Sequence, residues 1–309
     1  MRFTRPQQSN ATPTKKDSSR LKTLLVFGYG YSSSYIGRAL VAKGWRVIGT
    51  TRSAEKADIM AAEGVEPIIW PGGDMSAAIA EASHVLMSAG PTADGDPVLN
   101  ALSAQILPAK DRLDWVGYLS TTGVYGDRGG DWVTENEALT PSTERGKWRV
   151  AAEQAWLDTG LPVHIFRLAG IYGPGRGPFA KVRNGTARRI IKEGQVFSRI
   201  HVDDIAQTVI ASINHPNPGA YNVCDNDPAP PQDVIAEAAR LLGLPIPPAI
   251  PFEDADMTPM ARSFYGESKK VSNARIINEL GVKLKYPDYK SGLVALLAQE
   301  SEKNPTDSD

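Results

Sequence analysis

The segment from residue 21 to residue 49 constrains the fold more than any other part of the chain. An apolar run over residues 21–27 is followed by glycines, by a helical stretch that ends near Gly44, and by a second apolar run over residues 45–49. A strand, a glycine turn, a helix and a strand within about 30 residues form a βαβ unit, whose right-handed crossover makes the strands parallel. The sequence therefore predicts a parallel sheet that starts in this segment.

The same alternation continues as far as Gly170. Further helices are predicted over residues 54–63, 75–82, 98–107 and 147–158, and further strands over residues 66–70, 84–88, 115–120 and 163–168. This alternation predicts an α/β fold, with a doubly wound parallel Rossmann sheet over residues 21–170. The rhythm then breaks, and residues 171–299 are expected to form a smaller C-terminal α+β substrate or cap region, with some strands returning to the sheet.

Composition limits the function classes. Residues 1–20 are polar and basic without an apolar core, so a secretory signal is not expected. We expect a disordered tail there, with a transit peptide of similar composition as the alternative, and a second tail over residues 300–309. No apolar stretch approaches the ~20 residues that cross a bilayer. A net charge of -1 favours neither nucleic acid nor an anionic membrane. With Cys224 as the single cysteine, a disulfide framework within the chain is excluded, and a cytoplasmic protein is expected.

The turn after the first strand has the pattern of a dinucleotide-binding loop. Glycines after a strand and before a helix allow a tight turn and close approach of a pyrophosphate, and the helix N-terminus presents free N–H groups. Ser33 occupies the third position of G-x-G-x-x-G, where its hydroxyl is expected to donate to phosphate. An ordinary strand-to-helix turn stays open as the alternative. The expected cofactor contacts are Gly28, Tyr29, Gly30, Tyr31, Ser32 and Ser33.

Two further strand ends bear on the cofactor. The second predicted strand leads into Thr51 and Arg52, without the acidic residue that holds the ribose of NAD(H). An arginine there pairs with a 2′-phosphate, so NADP(H) is preferred, while NAD(H) stays open because Arg52 also fits a solvated loop. The small residues Ser88, Ala89 and Gly90 after the fourth strand allow a cofactor to lie flat across the sheet edge.

Three later segments carry a family resemblance. Residues 119–127 (LSTTGVYGD) resemble the S-S/T-x-x-V-Y-G segment of extended short-chain dehydrogenases/reductases, the NAD-dependent epimerase/dehydratase group. Residues 167–174 (RLAGIYGP) resemble their R-x-x-N-V-Y-G-P, and residues 199–205 (RIHVDDI) resemble their I-H-V-x-D. With the glycine turn, the resemblance spans residues 21 to about 212.

The chain departs from this family at the catalytic positions. Family enzymes carry Y-x-x-x-K followed four residues later by Glu, and alignment on Glu153 places Arg149 at the lysine and Arg145 at the tyrosine. Arginine does not donate a proton near pH 7, so the tyrosine's acid/base role has no occupant there. Thr121 matches the residue that hydrogen-bonds the substrate, and Gly170 replaces the motif's asparagine. This pattern, with residues 268–275 and 280–282, resembles an atypical YeeZ-like branch that keeps the fold and nucleotide site without the tyrosine.

Three functional readings follow from the resemblance. The first is an NADP-dependent oxidoreductase on a small carbonyl or hydroxyl substrate, which would be anionic if the basic segment over residues 181–189 receives it. Its acid would be Tyr172, Tyr31 or a water held by Thr121, and Arg145 and Arg149 would stabilise an oxyanion. The second is a non-catalytic NADP(H)-binding regulatory or sensor protein, and the third is an epimerase or dehydratase of nucleotide-sugar-like compounds.

Other polar segments have less specific readings. A basic helix predicted over residues 181–189 would either receive an anionic substrate or form a solvated face. His201, Asp203 and Asp204 match no zinc spacing, so no metal is expected. The helix predicted over residues 147–158 would serve either a homodimer or only the core.

Overall fold

The computed structural model describes residues 21–303. Its helices are α1 (Tyr31–Val41), α2 (Ala54–Ala62), α3 (Ser76–Glu81), α4 (Pro97–Ile106), α5 (Glu144–Leu157), α6 (Phe179–Arg183), α7 (Val202–Asn214), α8 (Pro231–Leu241), α9 (Pro259–Phe264), α10 (Ala274–Asn278) and α11 (Tyr289–Lys303). Its strands are β1 (Thr23–Phe27), β2 (Arg46–Thr51), β3 (Glu66–Ile69), β4 (His84–Met87), β5 (Trp115–Thr121), β6 (Trp132–Val133), β7 (Val163–Leu168), β8 (Gly170–Tyr172), β9 (Arg189–Ile191), β10 (Arg199–His201), β11 (Gly219–Val223), β12 (Ala249–Pro251) and β13 (Lys270–Val271).

Seven parallel strands form the central sheet, in the order β11-β7-β5-β4-β1-β2-β3. One face packs on α1 and α7, through residues such as Ile36 and Ile205, and the other packs on α3, α4 and α5, through residues such as Trp156. The predicted doubly wound parallel sheet is confirmed. Because the chain leaves β1 towards β2 and later returns to β4 on its other side, the crevice at the carboxyl ends of β1 and β4 is where such folds bind ligands.

The C-terminal part of the chain adds a third core and small sheets. Helices α6, α8 and α11 pack around Phe179 and Leu293. Strand β11 joins the central sheet beside β7, while β8 pairs with β10, β9 with β12, and β6 with β13. No helix within residues 21–303 is long and apolar enough to span a bilayer.

Two expectations for this part need correction. The disordered tail expected from residue 300 does not start there, because α11 continues to Lys303 and Glu300 pairs with Arg183 at 2.6 Å. The basic helix expected over residues 181–189 ends at Arg183, because Gly185 adopts a left-handed conformation (φ +66°) and Arg189 begins a strand. The tails expected over residues 1–20 and 304–309 lie outside the described residues.

A buried histidine on strand β7 makes the stability of the fold sensitive to acid. His164 is stacked between Trp115 and Tyr221, Nδ1 donates to the carbonyl of Pro162, and the buried Nε2 has no partner. Burial lowers the pKa of His164 to about 4. Below about pH 6.5 the imidazole is protonated in the unfolded chain, whereas in the folded chain it stays neutral down to about pH 4. The free energy that the neutral His164 contributes to folding is therefore fully present above pH 6.5 and is lost progressively as the pH falls towards 4.

We expect the His164→Phe variant to lose less stability on acidification than the parent chain. The difference between their unfolding free energies should move in favour of the variant by on the order of 1–3 kcal/mol between pH 7 and pH 4. Urea denaturation at a series of pH values measures this difference, and equal pH slopes for the two proteins would refute it.

Candidate functional site

The glycine turn lies at the crevice between β1 and β4. Gly28 has a φ of +82°, and a Cβ atom built on it would lie 2.8 Å from the backbone nitrogen of Ala89 after β4. Its N–H donates to Thr50 Oγ1 at 2.8 Å. The turn is therefore fixed to the ends of two neighbouring strands. Thr50, in the last part of β2, is a positioning residue that the sequence did not single out as a site residue.

The N-terminus of α1 faces the crevice with unused donors. The helix starts at Tyr31, Gly30 offers no capping side chain, and the first turn contains no acidic residue. The first N–H groups of a helix have no intrahelical acceptor. Ser32 is 8% exposed, and its hydroxyl has no hydrogen-bond partner among the described residues. These donors suit an anion such as a phosphate.

Two of the predicted cofactor contacts, Ser33 and Tyr29, also make contacts within the protein. Ser33 is fully buried; its hydroxyl accepts from the N–H of Gly30 (2.7 Å) and donates to the carbonyl of Gly28 (3.0 Å), so its single proton stays within the turn. The ring of Tyr29 lies between α1 and β2, where a Cβ at Gly37 would approach its hydroxyl to 2.6 Å. The ring fits against α1 because Gly37 has no side chain.

Of the two predicted cofactor contacts at the end of β2, one is buried and the other is exposed. Thr51 is buried, and its hydroxyl accepts from the N–H of Ser53 at 3.3 Å. Arg52 is exposed, and its guanidinium has no partner within residues 21–303. A cavity of about 170 Å³ beside the glycine turn is lined by Gly30, Lys56 and Glu63, among others. Lys56, near the start of α2, is a second cation that the sequence analysis missed.

The end of β4 supplies a surface without large side chains. The N–H groups of Ser88 and Ala89 both donate to the carbonyl of Phe27, at 2.8 and 3.0 Å. A Cβ on Gly90 would lie 3.2 Å from Nη2 of Arg149, so the guanidinium lies against this glycine. The structure thus brings Ser88, Ala89 and Gly90 next to one of the predicted catalytic residues.

Arg149 and Thr121 lie at the carboxyl end of β5. Arg149 Nη1 donates to the carbonyl of Leu119 at 2.6 Å and contacts the hydroxyl of Tyr118 at 3.2 Å. Thr121 accepts from the N–H of Gly123 at 3.1 Å and starts a short 3₁₀ turn. A fixed positive charge and a hydroxyl that retains its proton can hold a polar oxygen at this end of the crevice.

The other predicted catalytic residues are placed differently. Arg145 is exposed in the first turn of α5, with no partner in the described part of the chain. Tyr172 is buried against α11, where its hydroxyl lies 3.4 Å from the carbonyl of Asp288 and packs against Gly292. Burial raises the pKa of Tyr172 far above its usual value. The structure therefore does not bring Tyr172 together with Thr121, and its hydroxyl is occupied in the C-terminal core.

The family-like motifs meet in a buried network. Glu153 forms an ion pair with Arg167 at 2.9 Å and accepts from Ser120. Arg167 also donates to the hydroxyl of Tyr125 at 2.9 Å, and that hydroxyl donates to Asn222 at 2.7 Å. This network joins α5, β5, β7 and β11, and it has a structural role.

The His201 segment is structural as well. His201 Nδ1 accepts the N–H of Asp203 and caps α7, while the carboxylate of Asp204 accepts the N–H groups of Lys285 (2.7 Å) and Tyr286 (3.0 Å). Among the described residues, no group of three or more His, Cys, Asp or Glu side chains is arranged to hold a metal.

Comparisons with known proteins agree with this fold. A functionally unknown conserved protein from Silicibacter pomeroyi is 58% identical, with 90% of this chain and 99% of that chain covered and a TM-score of 0.87. Protein YeeZ of Escherichia coli is 29% identical over 286 residues, which cover 87% of this chain and 97% of YeeZ. UDP-glucose-4-epimerase from Stenotrophomonas maltophila, solved with bound NAD and formylated UDP-arabinopyranose, is 18% identical with a TM-score of 0.69, and 92% and 100% of the two chains are covered. No family model matches the chain.

The fold, the motif order and the glycine turn define a Rossmann-type protein, with the fold that the Stenotrophomonas epimerase also has. The likeness to YeeZ over most of both chains is consistent with an atypical, YeeZ-like member of the extended short-chain dehydrogenase/reductase (NAD-dependent epimerase/dehydratase) superfamily.

Proposed function

We propose that the chain binds NADP(H) and acts as an oxidoreductase on a small carbonyl or hydroxyl compound. The observation that carries this proposal is the set of unused donors at the N-terminus of α1, which include the hydroxyl of Ser32. They lie at the crevice where doubly wound folds bind dinucleotides. The NAD in the Stenotrophomonas epimerase, which shares the fold, supports a nicotinamide dinucleotide as the ligand.

The preference for NADP(H) is inferred from Arg52. We expect Arg52→Ala to weaken NADPH binding about tenfold, because a charge-assisted hydrogen bond to the 2′-phosphate is lost, and to leave NADH binding unchanged. Calorimetric titration of both dinucleotides measures the ratio of the two affinities. Lys43→Ala removes an exposed cation at the far end of α1 and serves as the control. A parent chain that binds NADH much more tightly than NADPH would contradict this assignment.

Two side chains are assigned to the chemical step. The hydroxyl of Thr121 is assigned to orient the substrate oxygen, and the guanidinium of Arg149 is assigned to stabilise negative charge near it. When bound, the nicotinamide supplies or accepts the hydride. A water held by Thr121 is assigned as the proton source, because the hydroxyls of Tyr172 and Tyr31 are bonded to carbonyl groups.

The exposure of Arg145, at the position of the family tyrosine, favours a second candidate function. A protein without a fixed proton donor can bind NADP(H) and report its redox state to a partner without turnover. Incubation with NADPH and a panel of small aldehydes, ketones and oxo acids separates the two functions. Loss of NADPH absorbance that Thr121→Ala and Arg149→Met both abolish supports the oxidoreductase, whereas tight binding without consumption supports the sensor.

A further inference from the structure

We propose that the loop over residues 173–178 is a clasp for the pyrophosphate of the dinucleotide, with Arg176 as the residue that pairs with phosphate. This inference rests on the proposed binding function and adds a binding residue from the C-terminal part of the chain.

The loop is attached to the first residue of the cofactor helix. Tyr31, which begins α1, donates its hydroxyl to the carbonyl of Pro174 at 3.0 Å. Gly173 packs so closely on this ring that a Cβ atom there would lie 2.6 Å from the tyrosine oxygen. The loop turns back on itself, since the N–H of Arg176 donates to the carbonyl of Gly173 at 2.8 Å. Its tip is therefore held beside the N-terminus of α1.

The side chain of Arg176 is positioned without being neutralised. The central carbon of its guanidinium lies 4.1 Å from the centroid of the Tyr31 ring, a cation–π contact. No carboxylate of the described residues lies within ion-pair distance of it. Arg38 lies on the next ring along α1, that of Tyr35, and pairs with Glu63 at 2.8 Å. Of these two arginines, only Arg176 keeps its donors for a ligand.

The surroundings of Tyr31 also favour an anion. Ser32 follows Tyr31 in the first turn of α1, and its hydroxyl has no partner among residues 21–303. The first N–H groups of the helix have no intrahelical acceptor. The carboxylate whose charge reaches Tyr31 is that of Asp203, and this charge is balanced by an ion pair with Lys285 at 3.0 Å. A phosphate between the helix end and a planar guanidinium receives donors from both, and bidentate pairing with arginine suits its geometry.

The test compares three ligands on the full chain by calorimetry: NADPH, NADH and adenosine 2′-monophosphate, which has the 2′-phosphate but no pyrophosphate. We expect Arg176→Ala to weaken both dinucleotides by about tenfold, with an unchanged NADPH to NADH ratio and unchanged binding of the monophosphate. Tyr31→Phe, which removes the bond to Pro174, should weaken both dinucleotides by about threefold. Arg240→Ala, an exposed arginine on α8, is the matched control and should change nothing.

Each other outcome has a definite meaning. If the parent chain binds dinucleotides and Arg176→Ala binds them equally well, the clasp is refuted while the proposed function stands. If Arg176→Ala weakens all three ligands alike, the effect is general and the clasp is also refuted. If the parent chain binds no dinucleotide, the proposed function itself has failed.

Discussion

The Glu153→Ala variant is expected to unfold with a free energy about 3–5 kcal/mol below that of the parent chain. Glu153 and Arg167 are only 2% and 6% exposed, and their ion pair is 2.9 Å long. Removal of the carboxylate leaves the guanidinium buried without a counter-charge, and it also takes the acceptor of Ser120 away. Urea denaturation followed by circular dichroism measures the loss.

A matched control lies on the same helix. Glu144 is exposed and pairs with Lys147 at the surface, so Glu144→Ala should cost less than about 1 kcal/mol. The double variant Glu153→Ala with Arg167→Met should recover part of the lost stability, because no charge is then left buried. If Glu153→Ala keeps the parent's urea midpoint, the buried pair does not have the role assigned to it.

The second large effect is expected for Gly28→Ala. This change adds a Cβ atom 2.8 Å from the backbone nitrogen of Ala89, at a φ of +82° that L-residues rarely adopt. The turn must then move away from β4, and NADPH affinity should fall on the order of 30-fold, which corresponds to about 2 kcal/mol. The titration is paired with a thermal melt, because some stability is lost as well.

Gly44→Ala is the control that separates the effect of backbone strain on stability from the effect of Gly28→Ala on NADPH binding. Gly44 also has a positive φ, +78°, but nothing lies within 4 Å of its added Cβ. This variant should lose about 1 kcal/mol of stability and bind NADPH as the parent does. If Gly28→Ala retains the affinity seen for Gly44→Ala, the glycine turn is not part of the cofactor site.

Local patterns predicted the sheet and the position of the glycine turn, because strand periodicity and glycine spacing are properties of short segments. The alignment on Glu153 likewise selected Arg149, which the structure places against Gly90. The direction of a hydroxyl was not predictable in this way. The hydroxyl of Ser33 points inward because it accepts from the N–H of Gly30 and donates to the carbonyl of Gly28.

Contacts between segments that are distant along the chain could not be predicted from the sequence either. Tyr172 is bonded to a carbonyl 116 residues further along the chain, and Tyr31 to one 143 residues away. Neither separation leaves a periodic or spacing signal. The positions of Arg176 on the Tyr31 ring and of Lys56 beside the glycine turn follow only from the placement of the helix ends in space.

We infer that the crevice at the carboxyl ends of β1 and β4 binds a nicotinamide dinucleotide. Calorimetric titration of the purified chain with NADPH tests it most directly. We predict saturable binding at one dinucleotide per chain, which Gly28→Ala largely removes. Absence of heat with NADPH, NADP⁺, NADH and NAD⁺ alike would contradict the claim.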